Sequence, residues 1–399
     1  MGAILAGTVG LLIVAILVAL IARRLALPYT VGLVATGIAL ALVQPLPGPA
    51  LTHDFIYLVI LPPLLFEAAL SLRWAELRRD MLPVLILSTV GVVISALVVA
   101  GGMAAILGWP MASALVFGVL IAATDPVAVI AMFKDLKVMG RMRLLVESES
   151  LFNDGVAAVL FVLALGWAMA PGAGQNPGSA LLSLAASAGG GVAAGLIVGG
   201  GAVLLAGRTA DHLVGAALTT VAAYGAFLLA EHFHFSGVLA TVSAGLLMGN
   251  LAVTSDPVVK IFSEREREFL MEFWEFAAFI ANSIIFLLIG LTVAKIHFVD
   301  FGLGPLLVAV GLVLAARAIT VYPLSAAFRA SRWAIPLKDQ HVLWWGGLRG
   351  ALALALALSL PAGLPYADAI MIMTFGVVVF SVVFQGLTMP LLLKKLGHV

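Results

Sequence analysis

Residues 112–133 read ASALVFGVLIAATDPVAVIAMF, a run whose single charged residue, Asp125, directly precedes Pro126. A helix crosses the hydrocarbon core of a bilayer in roughly 20 residues, so this run predicts a membrane span. Proline removes a backbone donor and disfavours helical geometry in the residue before it. The run therefore predicts a spanning helix that is interrupted beside a carboxylate in the middle of the membrane.

The whole chain has the composition of a polytopic membrane protein. Of its 399 residues, 63% are hydrophobic and only 10% are charged, whereas a soluble domain carries about 25% charged residues. The apolar runs are continuous, while the strands of a membrane β-barrel alternate in polarity, so we predict an all-α fold. Breaking the runs at charged or Gly/Pro-rich stretches predicts thirteen spans, at 3–22, 28–46, 53–71, 82–101, 112–133, 144–169, 179–206, 213–231, 235–251, 271–293, 303–328, 340–360 and 367–393.

Most basic residues lie in loops on the same side of the membrane when the predicted spans alternate in direction. Eighteen of the 21 Lys and Arg residues follow odd-numbered spans: Arg23, Arg24, Arg73, Arg78, Arg79, Lys134, Lys137, Arg141, Arg143, Arg208, Lys260, Arg265, Arg267, Arg329, Arg332, Lys338, Lys394 and Lys395. Lys295 lies on the opposite side, and Arg317 and Arg349 fall inside spans. Because basic loops stay in the cytoplasm, we predict an external amino terminus and a cytoplasmic carboxyl terminus in the inner (cell) membrane. The charged stretch 254–268 is expected to be an interfacial connector.

The odd number of spans predicts two inverted repeats. Spans 1–6 and spans 8–13, joined by span 7, would enter the membrane from opposite sides, as in many secondary transporters. Span 5 is interrupted at Asp125-Pro126, and its counterpart, span 12, at Gly346, Gly347 and Gly350. Paired interruptions predict crossed helices around a binding site at the membrane midplane. The alternative is that Gly and Pro are simply common in membrane helices.

Acidic residues inside the predicted spans are the strongest indication of a site. Most acidic residues lie in loops or at span ends, but Glu67, Asp125, Glu149 and Asp154 do not, and Glu147 lies near the cytoplasmic end of span 6. A charge at bilayer depth is costly unless it is paired, so each predicts either a functional group or a structural ion pair. Arg317 and Arg349 can neutralise only two of these carboxylates. At least one is therefore left to hold a proton or a metal cation.

The interruption of span 5 also frees backbone carbonyls near Thr124, beside the Asp125 carboxylate. Such oxygens suit an alkali cation that has shed its water. The alternative is a kinked helix that Asp125 merely caps.

Span 6 carries polar residues on two adjacent helix faces. Ser150 and Asp154 share one face, and Glu149 and Asn153 share the next. One face could bind an ion while the other pairs with an arginine. Sodium and a proton would then compete for the Asp154 oxygens, and exchange would follow from that competition. The alternative is an acidic pair that packs against a basic helix.

Several motifs resemble the monovalent cation:proton antiporter family, in its sodium/proton exchanger branch. They are ATDPVAV at 123–129, ESLFND at 149–154, LPPLLFEAAL at 61–70 and GGLRGALALAL at 346–356, joined by NSIIFLLIGL at 282–291 and ARAITVYP at 316–323. Their order and spacing agree with the family across nearly the whole chain. Ser148 departs from the pattern, since the family often has glycine there.

The resemblance implies specific roles for the residues of these motifs. Asp154 is expected to bind the ion and the proton, with Na⁺ co-ligands at Asp125, the Thr124 carbonyl, Ser150 and Glu67. Supporting residues are expected at Asn153, Glu149, Arg317 and Arg349. Among these, Glu149 would pair with Arg317, and Arg349 would organise the crossing helices. Asn153 stands where the electrogenic branch has Asp, which implies exchange of one cation for one proton.

The resemblance also implies a homodimer with a mobile core that works by elevator-like alternating access. We expect one transporter domain over residues 1–399, with spans 3–6 and 10–13 in the core and the other spans in the dimerisation domain. No soluble regulatory tail is expected after span 13, so any pH response would arise in the membrane domain.

The expected function is antiport of Na⁺ or Li⁺ against H⁺, with no enzymatic activity and no cofactor besides the transported ions. Membrane lipid is an expected partner, and the net charge of +1 gives no indication of nucleic acid. A K⁺/H⁺ antiporter with the same site is the nearest alternative. An intramembrane aspartyl hydrolase, with Asp125 and Asp154 as a dyad, and a cation channel are alternatives of other classes.

Overall fold

The computed structural model describes residues 2–25, 28–43, 51–136, 138–170, 177–208, 211–253, 262–296 and 302–398. These residues are largely helical and include no β-strand. Seven helices among them are long and apolar enough to cross a membrane, and further apolar helices are shorter. The predicted all-α polytopic fold is confirmed.

The helices follow one another with short connections. In chain order they are α1 (Gly2–Leu25), α2 (Tyr29–Val43), α3 (Phe55–Ser71), α4 (Trp74–Leu107), α5 (Met111–Ala122), α6 (Val127–Asp135), α7 (Arg141–Met169), α8 (Pro177–Ala206), α9 (His212–His232), α10 (Gly237–Met248), α11 (Glu264–Val293), α12 (Leu303–Ala327), α13 (Leu337–Trp345), α14 (Ala351–Leu358) and α15 (Ala367–Lys395). Within the described ranges they account for the thirteen predicted spans, since α5 with α6 and α13 with α14 form the interrupted spans 5 and 12.

Two helices begin earlier than their apolar runs predict. α4 begins at Trp74 rather than at residue 82, and α11 begins at Glu264 rather than at 271. Ser263 and Glu266 form a capping box at the start of α11. From Glu264 onward, the stretch expected to be a connector is therefore the first turns of a helix that extends beyond the apolar segment. Residues 254–261 of that connector, and 44–46 of span 2, lie outside the described residues.

The two interrupted spans cross at their breaks. α5 ends at Ala122 and α6 begins at Val127, while α13 ends at Trp345 and α14 begins at Ala351. The extended segments between them meet, because the Asp125 amide donates to the Leu348 carbonyl at 2.7 Å. The predicted crossing of spans 5 and 12 is confirmed.

Helix contacts divide the described helices into two groups. α4 packs on α5, α7 and α12, and both α14 and α15 pack on α5. We call α4–α7 with α12–α15 the core group. α2 packs on α11, α3 on α10, and α8 and α9 also on α10; we call α1–α3 with α8–α11 the scaffold group. α3 and α11 have their main contacts in the scaffold group.

Two close helix pairs in the scaffold group run parallel and meet at glycine. A β-carbon on Gly37 of α2 would lie 3.0 Å from Cα of Gly290 in α11. A β-carbon on Gly245 of α10 would lie 3.0 Å from the Phe66 carbonyl of α3. The first pair joins span 2 with span 10, and the second joins span 9 with span 3. In the predicted inverted repeats, span 2 corresponds to span 9 and span 10 corresponds to span 3, so the two pairs are equivalent.

Candidate ion-binding site

The carbonyls that the break in span 5 releases are bound by side chains of other helices. Nη1 of Arg349 donates to the Ala122 carbonyl at 2.6 Å and to the Ala123 carbonyl at 3.0 Å. The Ser150 hydroxyl donates to the Thr124 carbonyl. The Thr124 carbonyl was expected to be free for an ion, whereas here it accepts this hydrogen bond. Arg349 thus caps the carboxyl end of α5, which satisfies carbonyls that lack partners at a helix end.

Asp125 lies where two helices begin. Its Oδ1 accepts the Val127 amide at 2.9 Å, and the carboxylate also accepts the Ala351 amide. Val127 and Ala351 are the first residues of α6 and α14. A helix amino terminus favours negative charge, so the crossing places two such ends at one carboxylate.

α7 supplies a polar face to the same crossing. The amide nitrogen of Asn153 lies 3.3 Å from the Thr124 hydroxyl and 3.4 Å from Oε1 of Glu149. The Thr124 hydroxyl in turn donates to Ser150 at 3.1 Å. These hydrogen bonds tie α7 to the broken helix and hold its polar residues in a fixed arrangement.

Glu149 forms a buried bidentate ion pair with Arg317 of α12. Both nitrogen–oxygen distances are 2.8 Å, and the side chains are 3% and 8% exposed, respectively. Nη2 of Arg317 also donates to the Leu343 carbonyl at 3.1 Å. A β-carbon on Gly347 would lie 2.8 Å from Nε of Arg317, so glycine makes room for the guanidinium. One acid and one base of the core group therefore neutralise each other.

Asp154 and Asp125 line one small pocket. Its volume is about 50 Å³, and Leu61 and Leu65 of α3 form the facing wall. Oδ1 of Asp154 is buried and has no hydrogen-bond partner among the described residues. Asp125 and Glu149 repel the Asp154 carboxylate, and Arg349 attracts it. A cavity needs about 10–15 Å³ of such space to hold one water, so this pocket has room for a small cation or a few waters beside the two carboxylates.

A wider cavity of about 740 Å³ adjoins this pocket. The two share Leu64, Ala68, Pro126 and Val127 as lining residues. Charged residues of both groups line the wider cavity: Glu67, Lys134, Arg143, Glu147 and Glu275. It reaches the end of α6 and the start of α7, where basic residues concentrate.

Among the expected co-ligands, the structure brings together all but one. Thr124, Asp125 and Asp154 line the small pocket, and Ser150 bonds to Thr124. Glu67 instead lies on the wall of the wider cavity, where Lys134 attracts it and Glu147 repels it.

Sequence reasoning missed two parts of this arrangement. Gly350 was noted only as an interruption, although a β-carbon there would overlap the Asp125 carboxylate. Arg349 was expected to pair with a carboxylate or to organise the crossing helices, but its hydrogen bonds to two backbone carbonyls were not predicted. The adjacent Arg349-Gly350 in the interrupted span was the available signal, since a buried arginine beside glycine indicates close backbone approach.

Crossed, interrupted helices around a buried acidic pocket, reached through a wider cavity, define a secondary transporter. The chain belongs to the family described as "Sodium/hydrogen exchanger, transmembrane", which matches residues 11–395. It is therefore a multi-pass membrane protein and a transporter, not an enzyme.

Curated relatives and solved structures agree with this membership. The chain is 40% identical to the Na(+)/H(+) antiporter ApNhaP of Aphanothece halophytica, over 93% of this chain and 70% of that protein. It is 34% identical to the Na(+)/H(+) antiporter NhaH of Halobacillus aidingensis, over 97% of this chain and 96% of that protein. The fold is similar to that of the sodium proton antiporter MjNhaP1 from Methanocaldococcus jannaschii, with a TM-score of 0.77 and 22% identity over 98% of this chain and 97% of that one.

Proposed function

We propose that this protein exchanges Na⁺, or Li⁺, for H⁺ across the cell membrane, with the two ions competing for Asp154. One observation carries the proposal: Asp125 and Asp154 share a buried pocket of about 50 Å³. No basic side chain in the described part of the chain forms an ion pair with either of them. The printed names of the relatives, which are Na(+)/H(+) antiporters, support sodium as the cation.

The distribution of charge explains why exchange would be obligatory. Arg317 is paired with Glu149, and the single positive charge of Arg349, which donates to backbone carbonyls, can balance at most one of Asp125 and Asp154. The acidic pocket is therefore costly to move through the membrane unless a cation or a proton compensates it. A bound Na⁺ and a bound H⁺ neutralise the same single charge on Asp154. The pocket could therefore move across the membrane with either ion bound, but not when it is empty.

Stoichiometry follows from the neutral residue beside the site. Asn153 donates to Glu149 and to Thr124 and brings no charge of its own. With Asp154 as the single exchanging carboxylate, one Na⁺ replaces one H⁺ and the cycle moves no net charge. Asp125, the Thr124 carbonyl and Ser150 would complete the sodium shell, and Glu67 would join it through the adjoining cavity.

The wider cavity supports a direction for the open path. It lies at the end of the molecule that carries most of the basic residues, which we assign to the cytoplasm. The amino terminus then lies outside the cell membrane and the carboxyl terminus in the cytoplasm. With this orientation, the ion pocket would open toward the cytoplasm.

An elevator-like movement of the core group against the scaffold group would expose the pocket to the other side. The helix contacts favour a mobile part made of spans 4–6 and 11–13, with spans 3 and 10 on the scaffold side. Apolar side chains exposed on α1 and α8 would face lipid or a second subunit of a homodimer.

Proton flux from proteoliposomes tests the proposal. Vesicles with an imposed pH gradient receive Na⁺, Li⁺ or K⁺, with the membrane potential clamped or free. Collapse of the gradient by Na⁺ or Li⁺, at the same rate under both conditions, is the expected result. A response to K⁺ alone would show that K⁺, and not Na⁺, is the substrate. A rate that depends on membrane potential would overturn the one-to-one exchange. No response to any cation would refute antiport.

A further inference from the structure

A hydrogen bond joins the core and scaffold groups at the end of the molecule opposite the wider cavity. Nδ1 of His53, just before α3, lies 2.9 Å from the Ala355 carbonyl in the last turns of α14. A carbonyl oxygen only accepts hydrogen bonds, so Nδ1 carries the proton. The bond therefore ties the second half of interrupted span 12 to the scaffold group.

The His53 ring is itself held by the scaffold group. It stacks on Tyr57, with ring centres 4.9 Å apart and planes at 21°. The Tyr57 hydroxyl donates to Oε1 of Glu231 at 3.0 Å, and the same oxygen accepts the Gly237 amide at 2.9 Å. The series of contacts thus runs from α14 through α3 to the connection between α9 and α10. Tyr57 lies in the π-helical turn Phe55–Ile60, a backbone form that is frequent at functional sites.

Other hydrogen bonds between the two groups lie at the opposite end. Ser71 of α3 donates to Glu147 of α7 at 3.1 Å, and Lys134 of α6 donates to Glu275 of α11 at 2.9 Å. Glu147, Lys134 and Glu275 line the wider cavity, which is open. The contact of His53 with Ala355 instead joins α14 to α3 at the end of the molecule away from that cavity.

We propose that His53 is a positioning residue that latches the outer end of α14 to the scaffold group and so favours the state in which the ion pocket opens only to the cytoplasm. The inference rests on the proposed alternating access. A movement that opens the pocket to the outside separates α14 from α3 and breaks this hydrogen bond. Removing the bond shifts the equilibrium toward the outward-open state without touching Asp125 or Asp154.

The chain has no cysteine, so a single introduced cysteine is the one thiol of this protein that a reagent can label. Leu61 of α3 lines the small pocket and is buried, so Leu61→Cys reports its opening. A membrane-impermeant thiol reagent is added outside spheroplasts, and the labelling rate is measured. Losing one hydrogen bond changes an equilibrium about 2- to 10-fold. We expect His53→Ala to speed the labelling of Leu61→Cys by that factor.

Matched variants separate a latch from general loosening of the fold. His53→Asn places an amide N–H where Nδ1 lies and should keep the slow rate. His232→Ala removes an exposed histidine at the same end, which packs on the Phe233 ring, and should also keep it. If His53→Ala does not fold, His53→Gln, whose donor lies one bond further out, should label fast.

Equal labelling rates in folded His53→Ala and in the parent would overturn the latch, as would fast labelling of His53→Asn. The assay needs no sodium flux. A parent protein that fails to exchange sodium but shows the labelling difference would refute the proposed substrate and leave the latch standing.

Discussion

Gly350 and the Asp125 carboxylate are in direct contact, so close that a β-carbon on residue 350 would overlap Oδ2 and Cγ of Asp125. The backbone at Gly350 has φ of −150° and ψ of −141°, so it is not in the left-handed region. The neighbouring carboxylate, and not a positive φ, therefore requires glycine at this position. The contact links the two interrupted helices at the residue that lines the ion pocket.

Gly350→Ala should lower the rate of sodium-dependent proton flux at least tenfold, because the added methyl group displaces Asp125 or separates the crossed helices. Overpacking of this kind costs about 1–3 kcal/mol, so the protein should fold with a lower melting temperature. Gly101→Ala in α4 is the matched control, since a β-carbon there meets nothing within 4 Å. Normal flux in Gly350→Ala would contradict the importance of the contact.

Asp154→Asn should abolish exchange, with flux reduced more than about 100-fold, because the amide can neither release a proton nor neutralise a cation. The protein should remain folded, since no ion pair joins this carboxylate to another of the described residues. Asp54→Asn, at an exposed position of the outer end, should transport normally. Retained sodium-dependent flux in Asp154→Asn would refute the assignment of the site.

Ser150→Ala should raise the KM for sodium about tenfold while the maximal rate changes little. A lost ligand or hydrogen bond worth about 1.4 kcal/mol corresponds to that factor. Ser148→Ala removes a buried hydroxyl from the same helix, one that bonds back to the Leu144 carbonyl, and should leave KM unchanged. KM is measured from flux at increasing sodium concentrations; equal KM values in the two variants would exclude Ser150 from the sodium shell.

Arg317→Met should destabilise the protein by about 3–5 kcal/mol, because it leaves Glu149 buried without its partner. The double variant Arg317→Met with Glu149→Leu should recover much of that loss, since neither charge is then left alone. Thermal melting of purified protein measures both effects. Additive losses in the double variant would show that the two residues do not act as a pair.

The sequence predicted the spans well because hydropathy reports the length of chain inside the hydrocarbon core. It could not predict the helix starts at Trp74 and Glu264, because helical turns outside that core carry no hydropathy signal. A local signal was nevertheless present at Ser263 and Glu266, whose spacing is that of a capping box. The connector was expected from charge alone, and charge is equally compatible with the first turns of a helix.

The candidate site was predictable to the extent that charges at bilayer depth stand out. Asp125 and Asp154 were identified in this way, and the structure brings them to one pocket. Which oxygens lie free was not predictable, because it depends on residues far apart in the chain. Arg349 donates hydrogen bonds to the carbonyls of Ala122 and Ala123, and Ser150 donates one to the Thr124 carbonyl. These bonds form only when spans 5, 6 and 12 have come together.

The glycine contacts of the scaffold group also determine the order in which the protein can assemble. α2 packs mainly against α11, and α3 mainly against α10 and α11, and these partners belong to the second half of the chain. The contacts of Gly37 and of Phe66 therefore cannot form until the ribosome has made residues far downstream. The two halves of the chain are interleaved through these contacts, so the packing of each half includes helices of the other.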